Sequence, residues 1–316
     1  MGFAFIDLSV DRDDLRDDVL TGLASSPKSI PPKYFYDDAG CRLFEAICAQ
    51  PEYVLCRTEQ CLMAARLPEI AAAIGPVEGI VEPGAGDCVK VRRLLDTLQP
   101  THLVVMDIAG APLAAAAEPL ARDYPALAVT ALGMDFIHDL DAATPYLPAG
   151  RRLVYYPGSS IGNFAPDAAA ALLARFRQLA GADGQLLIGF DLKKDPQRLH
   201  AAYNDAAGVT AAFNLNLLAR LNRELGTDFV LDRFQHYAFY NPVAGRIEMH
   251  LVSLTEQDVN IAGQRVHFAL GETLHTEHSY KFRSDEFSAI AHTAGWSLAG
   301  EWLHDGFAVQ LYRGSR

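Results

Sequence analysis

Val81-Glu82-Pro83-Gly84-Ala85-Gly86 closes a short apolar run over residues 79–82 and leads into a helical pattern over residues 89–98. A strand that stops at glycines and turns into a helix brings bare backbone close to a ligand. An acid at the end of the next strand, Asp107 in Val104-Val105-Met106-Asp107, can accept both hydroxyls of a ribose. Together these features describe a site for an adenosine-containing cofactor, with a tight unliganded turn as the plain alternative. A dinucleotide site wants a third glycine where this chain has Val89, so NAD is disfavoured. Glu82, two residues ahead of the first glycine, suits the ammonium of a methionine moiety and would not welcome a pyrophosphate.

Outward from this turn, strand-like runs recur at 102–106, 128–131, 152–156 and 185–190, each separated by a helix-sized segment. Strands alternating with helices indicate right-handed crossovers and a parallel sheet covered on both faces. After Asp191 the rhythm breaks. A long helical stretch over 199–225 is followed by runs at 234–239, 246–253 and 272–282 that read as antiparallel strands. The tail returns to a helix at 285–294 and a closing hairpin of 297–303 with 308–312. Residues 1–58 hold short helical patterns broken by Pro31, Pro32 and Pro51, with little strand signal. The expected fold class is α/β: a Rossmann-like, doubly wound cofactor-binding domain over 59–192 plus 282–316, and a second α+β substrate-recognition domain over 1–58 plus 193–281.

With 316 residues, 50% of them hydrophobic, the chain can bury a large core. No apolar run reaches the roughly 18 residues of a membrane span, and the N-terminus lacks the basic and apolar regions of an export signal. The five cysteines form no CxxC pair, which suggests reduced thiols in a cytoplasmic protein. A net charge of −12 argues against a nucleic-acid substrate. His275 and His278 are three apart on an expected strand, hence on opposite faces, so no metal site is expected.

Glu82-x-Gly84-x-Gly86 with Asp107, followed by Gly133-Met134-Asp135-Phe136, resembles the class I methyltransferase pattern, in which the acid and aromatic after the third strand flank adenine. More specific motifs span nearly the whole chain. Pro32-Lys33-Tyr34-Phe35-Tyr36-Asp37-Asp38, Pro51-Glu52-Tyr53, Arg57-Thr58-Glu59, Gly158-Ser159-Ser160-Ile161-Gly162-Asn163-Phe164, Ala202-Tyr203-Asn204-Asp205, Phe213-Asn214-Leu215-Asn216 and Thr276-Glu277-His278-Ser279-Tyr280-Lys281-Phe282 together resemble the ergothioneine-pathway histidine Nα-methyltransferases. That resemblance implies S-adenosyl-L-methionine as cofactor, free histidine as substrate and the trimethylated betaine hercynine as product. It also implies roles. Tyr53 and Tyr203 take the substrate carboxylate, Asn163 the α-amino nitrogen with Tyr36 close by, and Glu277 and Ser279 the imidazole, with Met249 beside it. Glu82, Gly84, Gly86, Lys90, Asp107, Asp135 and Phe136 hold the cofactor. Two departures stand out: the loop reads Gly84-Ala85-Gly86-Asp87-Cys88 where the family more often carries small hydroxyl residues, and His278 stands between the two imidazole contacts without an assigned role.

Glu277 and Ser279, two apart on a strand, share a face and can together meet a small planar heterocycle, while His278 and Tyr280 point the other way. A carboxylate facing an imidazole gives a charge-assisted hydrogen bond, and a site built around it rejects side chains that cannot make it. Each residue also has a structural reading: Glu277 as a solvated strand residue, the three tyrosines as core aromatics, Asn163 as a cap for the helix at Pro166, Asp135 as a helix cap. The faces of Tyr36 or Phe213 are candidates for holding a methylated ammonium. Other readings stay open at this point: an α-amino methyltransferase for another amino acid such as a tryptophan derivative, a general small-molecule methyltransferase, or a catalytically silent cofactor-binding protein. Oligomeric state has no signal in the sequence.

Overall fold

The computed structural model describes residues 2–9, 14–261 and 263–315, so the expected domain ends at positions 1 and 316 lie outside the described residues. In chain order the strands are β1 (Phe3–Asp7), β2 (Lys28–Ser29), β3 (Gly79–Pro83), β4 (His102–Asp107), β5 (Ala128–Gly133), β6 (Arg152–Tyr156) and β7 (Gln185–Asp191). They continue with β8 (Phe234–Asn241), β9 (Arg246–Ser253), β10 (Gln257–Ile261), β11 (Gln264–Phe268), β12 (Thr273–Tyr280), β13 (Trp296–His304) and β14 (Phe307–Gly314). Two compact units result: Met1–Val10, Arg57–Leu192 and Phe282–Arg316 form one, and Asp11–Cys56 with Lys193–Lys281 the other.

The first unit is built on a sheet ordered β1-β5-β4-β3-β6-β7-β14-β13. Neighbours from β1 to β7 run parallel, and β14 and β13 close the far edge antiparallel, as the hairpin reading expects. β3 and β7 are buried along their whole length, which is why they read as unbroken apolar runs. From β3 the chain winds one way through β4 and β5, and β6 and β7 lie on its other side. The carboxyl end of β3 is therefore at a topological switch point, where open α/β sheets bind ligands. The helix Pro166–Ala180 starts with proline at its first turn and ends at Gly181, and its Leu173 carbonyl accepts from the buried Trp296 indole at 2.9 Å.

One boundary expectation is overturned. Phe3–Asp7 pairs in parallel with β5, from Phe3↔Val129 to Asp7↔Gly133, so this segment belongs to the sheet unit and not with the rest of 1–58. A five-residue edge strand with no fully buried position leaves no clean alternation to read.

The second unit holds a four-stranded sheet, β2-β12-β9-β8, and the β10–β11 hairpin, which the sequence reading does not separate. The single helix expected over 199–225 is two, Pro196–Tyr203 and Val209–Leu225. Between them Asp205 accepts from the backbone N–H of both Val209 and Thr210 at 2.8 Å, capping the second helix and stopping the first. That second helix is tied to the sheet through Asn214, which donates to the His250 carbonyl and accepts from the Thr276 hydroxyl. Among the described residues no helix is long and apolar enough to cross a membrane.

Candidate active site

In the first unit, Gly84 and Gly86 follow β3 with φ of +67° and +54°, conformations open to glycine and costly for other residues. A β-carbon on Gly84 would lie 3.5 Å from the Phe136 ring, so this backbone runs against an aromatic wall that Tyr156 completes edge-on. Asp107, half-buried at the end of β4, accepts from Gly86 N and from Ala109 N, both at 3.0 Å, and so fixes the glycine loop. Glu82 lies beneath the loop, 1% exposed, and its Oε2 has no hydrogen-bond partner among the described residues. Burial pushes its carboxyl well above the usual range, Lys90 opposing the shift. A buried acid left unsatisfied at the mouth of a bare glycine turn is a group waiting for a cation. Asp135 is half-buried and caps the turn that follows β5, accepting from Ile137 N at 2.9 Å, while its other oxygen meets His138 Nδ1 at 2.8 Å. The alternative that Asp135 caps the next helix is not realised, since that helix, Leu140–Tyr146, has Asp139 at its cap position, and a carboxylate with four acceptor positions keeps capacity for a ligand.

Lys90 is held by Glu59, a buried acid to which the sequence reading gives no role. Glu59 Oε2 accepts from Lys90 Nζ at 2.8 Å, and its Oε1 accepts from Gly158 N at 2.7 Å. One carboxylate thus joins the glycine loop's lysine to the loop after β6. That second loop passes Ser159 in a left-handed conformation, with its hydroxyl accepting from Asp191 N at 2.9 Å, and delivers Asn163 at the end of a 3-10 turn. Asn163 is half-buried, and the alternative that it caps the next helix fails: Ala165 occupies that cap position without a side-chain bond. Its amide is uncommitted among the described residues, as a ligand-binding group requires.

In the second unit, Tyr53 and Tyr203 are buried edge to face, ring centroids 6.0 Å apart. Burial raises both phenols, Tyr53 well above its ordinary range, and Lys281 opposes the shift at Tyr203, so both are hydroxyl donors at neutral pH. Lys281, 1% exposed, donates to the Tyr203 hydroxyl at 3.1 Å and to Ser279 Oγ at 2.9 Å. Glu277, Ser279 and Lys281 follow one another at strand spacing, and Met249 is the cross-strand partner of Glu277. The Glu277 carboxyl is raised to about 7 by burial, with Lys281 pulling it back. Lys281 is the residue the sequence reading left without a role; its signal was the continued alternation one step past the strand end. Tyr36 is half-buried against Phe44 and Phe213. Phe213, 3% exposed, is stacked on Phe35 at 4.5 Å.

The expectation that His275 and His278 face opposite ways is overturned. β12 shifts register between His275 and Glu277, opposing His275 to His250 and His278 to Glu248 on one face of the sheet. A bulge adds a residue and so breaks the period of two on which the expectation rested.

A strand, glycine turn and helix at the switch point, with acids closing the next two strands and an antiparallel pair at the far edge, define a class I S-adenosylmethionine-dependent methyltransferase fold. The family model of the histidine-specific, S-adenosylmethionine-dependent methyltransferases matches residues 15–314, and the chain belongs to that family. It is 42% identical to the histidine N-alpha-methyltransferase of Mycolicibacterium smegmatis over 294 residues, covering 91% of this chain and 90% of that one. It is 40% identical to the histidine N-alpha-methyltransferase of Mycobacterium tuberculosis over 297 residues, 92% of this chain and 91% of that one. The solved structure of the PH0226 protein from Pyrococcus horikoshii OT3 superposes with a TM-score of 0.51 at 12% identity, over 89% of this chain and all of that one, a likeness of fold.

Proposed function

We propose that this enzyme methylates the α-amino nitrogen of free L-histidine, in successive rounds up to the betaine hercynine. The observation that carries the reading is the row Glu277, Ser279 and Lys281 with Tyr203 bonded to its end, a set of polar groups fit for an imidazole and a carboxylate together.

S-Adenosylmethionine supplies a methyl group on a cationic sulfur. The residues present fit it: Glu82 takes its α-ammonium, Asp107 its ribose, Asp135 and Phe136 its adenine, and Gly84, Gly86 and Lys90 border it. On the substrate, Tyr53 and Tyr203 donate to the carboxylate, Asn163 holds the α-nitrogen, and Tyr36 lies close to that nitrogen. Glu277 accepts the imidazole N–H while the Ser279 hydroxyl meets the other ring nitrogen, and Met249 packs beside the ring. The bound cofactor would supply the methyl group, and before each transfer the α-ammonium must give up a proton to water, because only a neutral nitrogen carries the lone pair. Holding that nitrogen in line is the protein's main contribution.

The test is incubation of the full chain with the cofactor and each free amino acid in turn, followed by mass detection of added methyl groups. Mass increments confined to histidine support the reading, and methylation of a different amino acid overturns the substrate assignment. With a small-molecule substrate and a net charge of −12, no nucleic-acid partner is invoked.

A further inference from the structure

Behind the strand pair that carries Met249 and Glu277, the opposite face of the same four-stranded sheet presents Glu248 and His250 from β9 against His278 and His275 from β12. One donor atom each from Glu248, His250 and His275 lie within 4.8 Å of one another. Glu248 and His250 are each 8% exposed, and His250 Nδ1 and His275 Nε2 are buried with no hydrogen-bond partner among the described residues. Buried imidazole nitrogens are ordinarily satisfied, yet His250 and His275, neighbouring rings with centroids 4.9 Å apart, each leave one open, and the carboxylate of Glu248 meets the other nitrogen of His250. The carboxylate is already oriented. Arg246 Nε at 2.9 Å and Asn241 Nδ2 at 3.0 Å both donate to its Oε1, leaving Oε2 turned to His250, 3.2 Å from Nε2. Partners of this kind fix the ligands of metal sites.

We propose that Glu248, His250 and His275 bind one divalent transition metal ion of the imidazole-preferring class, with Zn2+ the representative, clamping β9 to β12 behind the substrate strands. Metal–ligand bonds of about 2.0–2.2 Å place tetrahedral ligands roughly 3.5 Å apart, so side-chain rotations of about 1 Å close the present spacing. The choice of metal follows from the charges. Arg246 cancels much of the Glu248 charge, which disfavours oxygen-seeking Mg2+ and Ca2+ and leaves binding to the two imidazoles.

The experiment uses the full chain without a polyhistidine tag, stripped with a chelator and titrated calorimetrically with Zn2+, Mg2+ and Ca2+. The expected result is one equivalent of Zn2+ with a rise in Tm, and no Mg2+ or Ca2+ binding. His250→Phe and His275→Phe keep a planar ring in the stack and are expected to weaken Zn2+ at least tenfold and abolish the Tm rise, with the circular dichroism spectrum unchanged. Substitution with Co2+ gives a second readout on the unaltered chain: visible bands of a nitrogen and oxygen site without thiolate charge transfer. Absence of a Zn2+ equivalent, an equivalent that both variants retain, or a thiolate band in the Co2+ spectrum would each overturn the proposal.

Discussion

Lys281 Nζ donates to Ser279 Oγ at 2.9 Å, and the same ammonium donates to the Tyr203 hydroxyl at 3.1 Å. An ammonium has three donors and no acceptor, so each hydroxyl receives a bond from it and keeps its own proton to give elsewhere. Lys281 thereby turns a tyrosine and a serine into outward donors, one suited to a carboxylate and one to a bare ring nitrogen. Lys281→Met should raise the histidine KM about tenfold to a hundredfold, the range for orphaning buried polar groups by 1–3 kcal/mol. Affinity for S-adenosylhomocysteine should stay within twofold, and Lys281→Arg should recover part of the loss. Steady-state kinetics with calorimetry checks this, and equal KM in Lys281→Met would reduce the lysine to packing.

Removing the Glu277 carboxylate tests the imidazole end. Glu277→Ala should lower kcat/KM for histidine by roughly tenfold to a hundredfold or more, since a hydrogen bond to a charged group contributes about 1.5–3 kcal/mol. Cofactor affinity should hardly move. Unaltered kinetics would sink the assignment of histidine.

Glu82 links the cofactor to pH. Burial holds its carboxyl well above the ordinary glutamate value of about 4.5, so above that pH the folded chain retains a proton that the unfolded chain has lost. Stability of the cofactor-free enzyme should therefore fall as pH rises from about 4.5 through the raised value. A ligand ammonium beside Glu82 favours the carboxylate, so binding releases a proton and S-adenosylhomocysteine affinity should rise with pH over the same window. Glu82→Gln should flatten both slopes. Calorimetry in buffers of different ionisation enthalpy counts the proton, and a count of zero in the wild type would remove Glu82 from the cofactor.

Asp107 closes the glycine loop through Gly86 N and Ala109 N. Asp107→Ala should weaken S-adenosylhomocysteine at least tenfold, because it deletes the proposed ribose acceptor and the loop's anchor together. Asp107→Asn keeps an acceptor oxygen and should lie between the two. Identical affinities across the three proteins, measured by calorimetry, would leave the acid a role in the fold alone.

The glycine turn, Asp107 and the parallel strands were legible because each is written in contiguous residues: apolar runs for buried strands, glycines where φ is positive. The shared face of Glu277 and Ser279 was legible for the same reason, strand alternation. What escaped is what depends on distant partners or on a broken period. Phe3–Asp7 becomes a strand only because β5 offers an edge, and the β12 bulge turns His275 to the side of His278 with no mark in composition. Glu59 looks like any helix acid until Lys90 and Gly158, 31 and 99 positions away, close on its two oxygens. The break at Asp205 was written in the sequence as an acid ahead of Gly208, and helical periodicity on both sides concealed it.

Selectivity between free and blocked substrates follows from the commitment of both ends of the amino acid. Tyr53 and Tyr203 are buried, and their raised phenols stay protonated at neutral pH, so they can satisfy an acceptor but cannot pair with a cation by ionising. A carboxylate is their strongest partner, and an amide in its place leaves weaker bonds to two buried hydroxyls. Histamine lacks the group altogether and would leave both hydroxyls without a ligand partner. Histidine amide, histamine and internal peptide histidines should therefore show kcat/KM lower than free histidine by about a hundredfold or more, a loss of roughly 3 kcal/mol over two buried donors. Nα-methyl and Nα,Nα-dimethyl histidine keep both ends and should be accepted. Tyr203→Phe should narrow the gap between histidine and histamine by depressing histidine turnover, because the lost hydroxyl matters only where a carboxylate is present. Competition assays with mass detection measure the ratios directly, and comparable kcat/KM for histamine and histidine would show that the carboxylate is not read.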